Sequence, residues 1–191
     1  MNWETILSLG DSITIGARSY IGYPEFCGNH LNNLTNKNWN IINHAVSGFT
    51  TIDLARLVDK DFAMLSIAKP DVATLLIGTN DLKKGTSISN FKIAYELLLL
   101  KIKLITNHNN IILIKIPLLQ EGVMLPYKIK MNDKVKYYNE VIQEISKREG
   151  LLLHDFSSKP EFFFDGVHLN ETGSENWGLQ LAQIIHKMRS L

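Results

Sequence analysis

The segment Thr5-Ile6-Leu7-Ser8-Leu9-Gly10-Asp11-Ser12 decides how this 191-residue chain is read. Residues 5–9 form an apolar run too short for a helix and closed by glycine, the pattern of a strand buried on both faces. Such a strand belongs in a parallel sheet covered by helices on both sides, and the following sequence supplies both partners. Further short apolar runs predict strands at Trp39–Asn43, Asp71–Ile77, Asn110–Ile116 and Leu151–Leu153. Between and after them, segments of helical period predict helices at Pro24–Leu34, Thr51–Ala68, Ser89–Thr106, Met131–Glu149 and Glu171–Met188. In Thr51–Ala68 the apolar residues Leu54, Leu57, Val58, Phe62 and Leu65 fall on one face. Strand and helix alternate about five times, which calls for an α/β fold with right-handed crossovers.

Composition narrows the class. Lys plus Arg number 20 and Asp plus Glu 19, and 45% of the residues are apolar. Phosphate contacts demand a basic excess that is missing here, so a general nucleic-acid binder is not expected. The apolar content is too high for disorder. Cys27 is the single cysteine, which excludes an internal disulfide framework and Cys-based zinc clusters. No basic region precedes the short apolar run at the N-terminus. The greasiest stretch, Ile93–Ile105, is interrupted by Glu96, Lys101 and Lys103. The chain therefore reads as one cytoplasmic domain over residues 1–191, without a membrane span; no feature sets an oligomeric state.

In open parallel sheets the ligand site lies beyond the carboxyl ends of the strands. Gly10-Asp11-Ser12 follows the first predicted strand, and Asn43-His44-Ala45-Val46-Ser47-Gly48 follows the second. Gly78-Thr79-Asn80-Asp81 follows the third, and Asp165-Gly166-Val167-His168 comes after the fifth, across a loop. These residues suit nucleophilic catalysis. Ser12 needs a base to take its proton, and His168 is the candidate. Asp165, three residues earlier, can orient the imidazole and stabilise its cation. The Ser12 and Gly48 N–H groups and the Asn80 amide are candidate oxyanion donors. Asp11, Asp81 and His44 share the rim as candidate substrate contacts.

These four blocks, in this order, resemble those of the GDSL esterases, the SGNH hydrolase family. Gly10-Asp11-Ser12 is similar to the first block and Gly48 to the second. Gly78-Thr79-Asn80-Asp81 is similar to the third, Gly-x-Asn-Asp, and Asp165-Gly166-Val167-His168 to the fifth, Asp-x-x-His. Asn43-His44-Ala45 lacks the additional glycine that many members carry ahead of the block-two glycine. The resemblance implies a three-layer αβα sandwich around a flavodoxin-like five-stranded parallel sheet. It also implies a Ser12-His168-Asp165 triad, an oxyanion hole of Ser12, Gly48 and Asn80, and hydrolysis of carboxylic esters with no metal or organic cofactor.

Each block alone has a plainer reading. Ser12 suits a helix cap, and Asn80-Asp81 and Asp165-Gly166 suit turns. Four separate turns rarely spell one site in order, which favours the catalytic reading. His154-Asp155 with Asp165 and His168 could supply metal ligands, so a metal-dependent phosphodiesterase stays open, as does an inactive carbohydrate- or lipid-binding module of the same fold. Phe162-Phe163-Phe164 is expected in the core, and Cys27 as a buried small hydrophobe. The segments 13–23, 82–87, 117–130 and 157–164 are expected to wall the substrate site. Within them Leu118, Leu119, Val123, Met124 and Leu125 suggest a small apolar acyl pocket and short-acyl substrates, as for an acetylesterase or a lysophospholipase-like enzyme.

Overall fold

The computed structural model describes residues 3–190. Five strands, β1 (Trp3–Gly10), β2 (Asn38–Asn43), β3 (Val72–Leu76), β4 (Ile111–Ile114) and β5 (Leu152–His154), form one sheet in the order β2-β1-β3-β4-β5. Every pairing is parallel. The chain first winds outward from β1 to β2, then returns across β1 to place β3, so the order reverses between β1 and β3. That reversal opens a crevice at the carboxyl ends of these two strands, where the loops run apart.

The helices are α1 (Ser12–Ile15), α2 (Tyr23–Leu34), α3 (Thr51–Lys60), α4 (Phe62–Ala68), α5 (Thr79–Lys84), α6 (Ile88–Lys103), α7 (Asn132–Glu149) and α8 (Glu171–Arg189). One core cluster joins Leu7, Leu9, Leu75 and Leu113 of the sheet to Leu54, Tyr95, Leu98 and Ile142, and so holds α3, α6 and α7 against one face. The other joins Ile6, Val72, Leu76 and Ile112 to Leu31, Trp177 and Leu181, which holds α2 and α8 against the opposite face. The three-layer architecture follows directly, because alternate residues of each strand face opposite ways and both faces are apolar.

Some boundaries move. The segment predicted as one helix over Thr51–Ala68 is two, broken at Asp61, whose φ of −98° and ψ of 12° end α3 and begin α4. The Asp61 carboxylate stands 3.2 Å from the His44 ring. Two short helices that periodicity could not reveal, α1 and α5, start directly on the rim residues. Phe162 and Phe163 are buried as expected, but Phe164 is exposed; Cys27 is buried, and burial pushes its thiol pKa up.

The α2–α8 contact is made at a glycine. A Cβ on Gly178 would lie 2.4 Å from Phe26 Cβ and 2.9 Å from the Tyr23 carbonyl oxygen. Neither atom belongs to the free end of a flexible side chain, so the helices would have to part. Gly178→Ala is expected to lower stability by about 1–3 kcal/mol despite alanine's better helix propensity, read as a fall in the urea midpoint.

Candidate active site

β1 ends at Gly10 and turns at once into α1. Asp11 is the N-cap residue, and its Oδ1 accepts from Ile13 N–H at 3.0 Å. Ser12 is the first residue of the helix, with its side chain at the switch point. Its Oγ lies 2.9 Å from His168 Nε2, and His168 Nδ1 lies 2.8 Å from Asp165 Oδ2. Residues 156 apart in sequence thus form one continuous hydrogen-bonded chain.

The Asp165–His168 pair is set by a tight turn rather than a helix. Asp165 Oδ1 accepts from the backbone N–H groups of Val167 and His168, at 3.1 and 2.8 Å, which leaves Oδ2 for the imidazole. Gly166 occupies the left-handed region at φ +77°, and a Cβ there would meet the Val123 backbone at 2.7 Å. The turn docks on the 120–124 segment through Gln120 N–H to Gly166 O and Met124 N–H to Asp165 O. Burial alone would raise the Asp165 pKa; the His168 N–H, its ring and charge, and the Val167 N–H outweigh that and hold it below the ordinary carboxylate value. Arg18, absent from the residues singled out by sequence, places Nε 3.7 Å from Asp165 Oδ2 and its guanidinium over the exposed Phe164 ring.

Asn80 links the remaining loops. Its Nδ2 donates to Phe49 O at 3.0 Å and to Asp11 Oδ2 at 3.3 Å, so it touches the residue after Gly48 and the residue before Ser12. Its Oδ1 accepts from the buried Tyr127 hydroxyl at 3.1 Å. This fixes which end of the amide carries the donors. No local sequence feature marks Tyr127; only its position in the 117–130 loop points here. Gly48 is exposed and left-handed, at φ +82°.

The three candidate substrate contacts each have a partner within the fold. Asp11 is fully buried and engaged by Ile13 and Asn80. Asp81 is also buried, and its Oδ2 accepts from Thr51 N–H and Oγ1–H at 2.8 and 2.9 Å, a negative charge at the start of α3. Together with the Thr50–Asp53 capping box it fixes where α3 begins, and therefore the path of Gly48 and Phe49. The His44 Nε2 faces the Asp61 carboxylate at 3.2 Å. The four potential metal ligands also part company: His154 packs edge-on against Phe156, and Asp155 pairs with Lys115. Among the described residues no group of three or more His, Cys, Asp or Glu could hold a metal ion.

The family model of the GDSL-like Lipase/Acylhydrolase family matches residues 8–175. The chain belongs to this family. As a GDSL-like acylhydrolase it is an enzyme that cleaves ester bonds. No curated protein matches the chain significantly. Solved structures share the fold. The lipase/acylhydrolase from Enterococcus faecalis is similar at 23% identity and TM-score 0.79, over 96% of each chain. A variant acetyl xylan esterase from Geobacillus stearothermophilus is similar at 21% identity and TM-score 0.70, over 97% of this chain and 94% of its own. The aryl esterase of M. smegmatis is similar at 15% identity and TM-score 0.76, over 97% and 99%.

The buried Asp11 gives this GDSL-like site a stability signature. Burial above all, with the nearby Asp81 charge, raises its pKa to about 7 against the opposing Ile13 and Asn80 contacts. A carboxyl whose folded value is raised contributes stability that is full below the unfolded value near 4 and lost as pH climbs through about 7. Asp11→Asn carries no charge at any pH. Relative to the parent it is expected to gain roughly 1–4 kcal/mol between pH 4 and pH 8, measured from urea midpoints at both ends.

Proposed function

We propose that the chain is a serine esterase of short-acyl carboxylic esters, one hydrolase domain working through Ser12, His168 and Asp165. The observation that carries this reading is the unbroken contact chain from Ser12 Oγ through the His168 ring to Asp165 Oδ2. Ser12 Oγ attacks the ester carbonyl carbon as His168 Nε2 takes its proton. Asp165, acidified by its neighbours and ionised, holds Nδ1 as the donor and balances the imidazolium. The carbonyl oxygen becomes an oxyanion that the Ser12 and Gly48 N–H groups and Asn80 Nδ2 stabilise. Asn80 has two amide hydrogens and both have acceptors at rest; the longer contact, to Asp11, is the one the oxyanion replaces. His168 then protonates the leaving alcohol. Water, deprotonated by the same ring, attacks the acyl-Ser12 ester and releases the acid.

The short-acyl preference rests on what the 117–130 loop does with its apolar residues. Leu119 is buried, and Val123 and Met124 pack against the core cluster on the α8 side. Leu118 and Leu125 remain exposed, so the loop leaves few apolar side chains to line a long acyl chain. An acetyl xylan esterase and an aryl esterase share the fold, which is consistent with small acyl groups on varied alcohols.

Ser12→Ala and His168→Ala are each expected to lower kcat on p-nitrophenyl acetate at least about a thousandfold. Asn80→Ala should lose about a hundredfold or more in kcat. Parent-level activity in the Ser12 variant would overturn the assignment. Loss of activity in EDTA would favour the metal-dependent phosphodiesterase, and no labelling by a fluorophosphonate would favour the inactive binding module. Across p-nitrophenyl esters, kcat/KM is expected to fall from acetyl to dodecanoyl; a steady rise would refute the short-acyl preference.

A further inference from the structure

Helix α6 has two apolar faces, one inward and one outward, with charged residues between them. Its inner face, Phe91, Tyr95, Leu98 and Ile102, is buried in the core. Its outer face carries Ile93, Leu97, Leu100 and, at the C-cap, Leu104, which are 64%, 41%, 58% and 68% exposed. A second apolar stripe on the outer face of a helix is expected to be covered like the inner one. Among the described residues nothing covers this stripe.

We propose that the outer face of α6 binds a second copy of this chain, with the two α6 helices antiparallel about a two-fold axis. The four apolar positions are spaced 4, 3 and 4 residues apart, so the pattern reads the same from either end. A two-fold axis midway between Leu97 and Leu100 sets Ile93 opposite Leu104 of the second copy and Leu97 opposite Leu100. That is the self-complementarity an isologous interface requires.

The flanks agree. Glu96 and Lys103 lie on the α7 side, where they pair with Arg148 and Glu149. The same two-fold brings Glu96 alongside Lys103 of the second copy, so opposite charges meet at both ends of the contact. The surface has hollows as well as ridges. A cavity of about 390 Å³ borders Ile52, Asn90, Ile93 and Ala94, where Leu104 of the second copy would arrive. A groove of about 460 Å³ runs beside Leu97 and Leu100. α6 is about 24 Å long, and a strip of that length spanning α3, α6 and α7 approaches the roughly 800 Å² per partner of an ordinary interface.

A lipid surface is a poorer match. Membrane-docking helices rim their apolar face with free Lys and Arg. Here Lys92, Lys101, Lys103 and Arg148 are each paired with a carboxylate of the same chain.

Sedimentation velocity of the full chain at micromolar concentration tests the proposal. The expected mass is twice the 21.7 kDa of one chain. Leu97→Glu with Leu100→Glu should weaken self-association about a hundredfold or more, while ester hydrolysis stays at the parent rate and reports an intact fold. Glu96→Lys alone should weaken the dimer, and Glu96→Lys with Lys103→Glu should restore it. A monomer throughout the range would overturn the proposal, as would a dimer indifferent to the leucine changes. A monomer that cosediments with phosphatidylcholine vesicles through the same leucines would overturn it in favour of a lipid surface.

Discussion

Position 10 has no room for a side chain. A Cβ there would lie 2.1 Å from Thr14 Oγ1 and 2.6 Å from the Leu76 carbonyl oxygen. β1 can therefore run to its last residue hard against β3 and still fold straight into α1, which delivers Ser12 to the rim. The neighbouring loops are fixed relative to the same point by sheet register. Gly10 stands opposite Leu76, so Asn80 emerges a few residues later beside Asp11. On the other side Ser8 pairs with Asn43, and the chain leaving β2 keeps hold of β1 through His44 N–H to Ser8 O and Val46 N–H to Gly10 O. A slip of one residue in either pairing would turn the strand faces over and carry Gly48 or Asn80 away from Ser12.

The electrostatics behind the site run against simple expectation. Two carboxylates, Asp11 and Asp81, are buried near donors assigned to an oxyanion, and like charges there should oppose its formation. Each is answered differently. Asp81 sits at the N-terminal end of α3, with two donors from Thr51. Asp11 sits against Asn80, and burial lifts its pKa to about 7, so its charge is only partly present at neutral pH. Both serve geometry: one sets the start of α3 and the Gly48 path, the other caps α1 and steadies the amide.

Sequence reading reached the layered parallel sheet because five buried strands and their helices leave strong periodic signals, and because both faces of the sheet are greasy. The rim blocks were legible because the first and third follow directly on a strand end and the other two come after strand ends in the same order. What stayed hidden depends on tertiary contact. Nothing local marks Tyr127 as the partner of Asn80, 47 residues away, or Arg18 as a neighbour of Asp165. Nor does position on the rim reveal that Asp11 and Asp81 are buried and hydrogen-bonded, or that His44 faces Asp61. The break at Asp61 leaves no mark in the periodicity, because Leu57, Val58, Phe62 and Leu65 keep one apolar phase through it.

Helix α6 packs one side on the sheet and turns its apolar stripe outward. The helix runs antiparallel to the strands, as crossover helices do, so its N-terminal end lies nearest the rim that carries Ser12. There Phe91 packs beneath Gly78, where a Cβ would meet its ring at 3.0 Å. Gly78 in turn caps the short helix that presents Asn80. An antiparallel α6 pair therefore directs the two rims to opposite ends of the dimer, each cleft built wholly from one chain. Association of that kind would stiffen the helix supporting the Gly78 turn without covering either cleft, which separates the role of the outer leucines from that of the residues around Ser12.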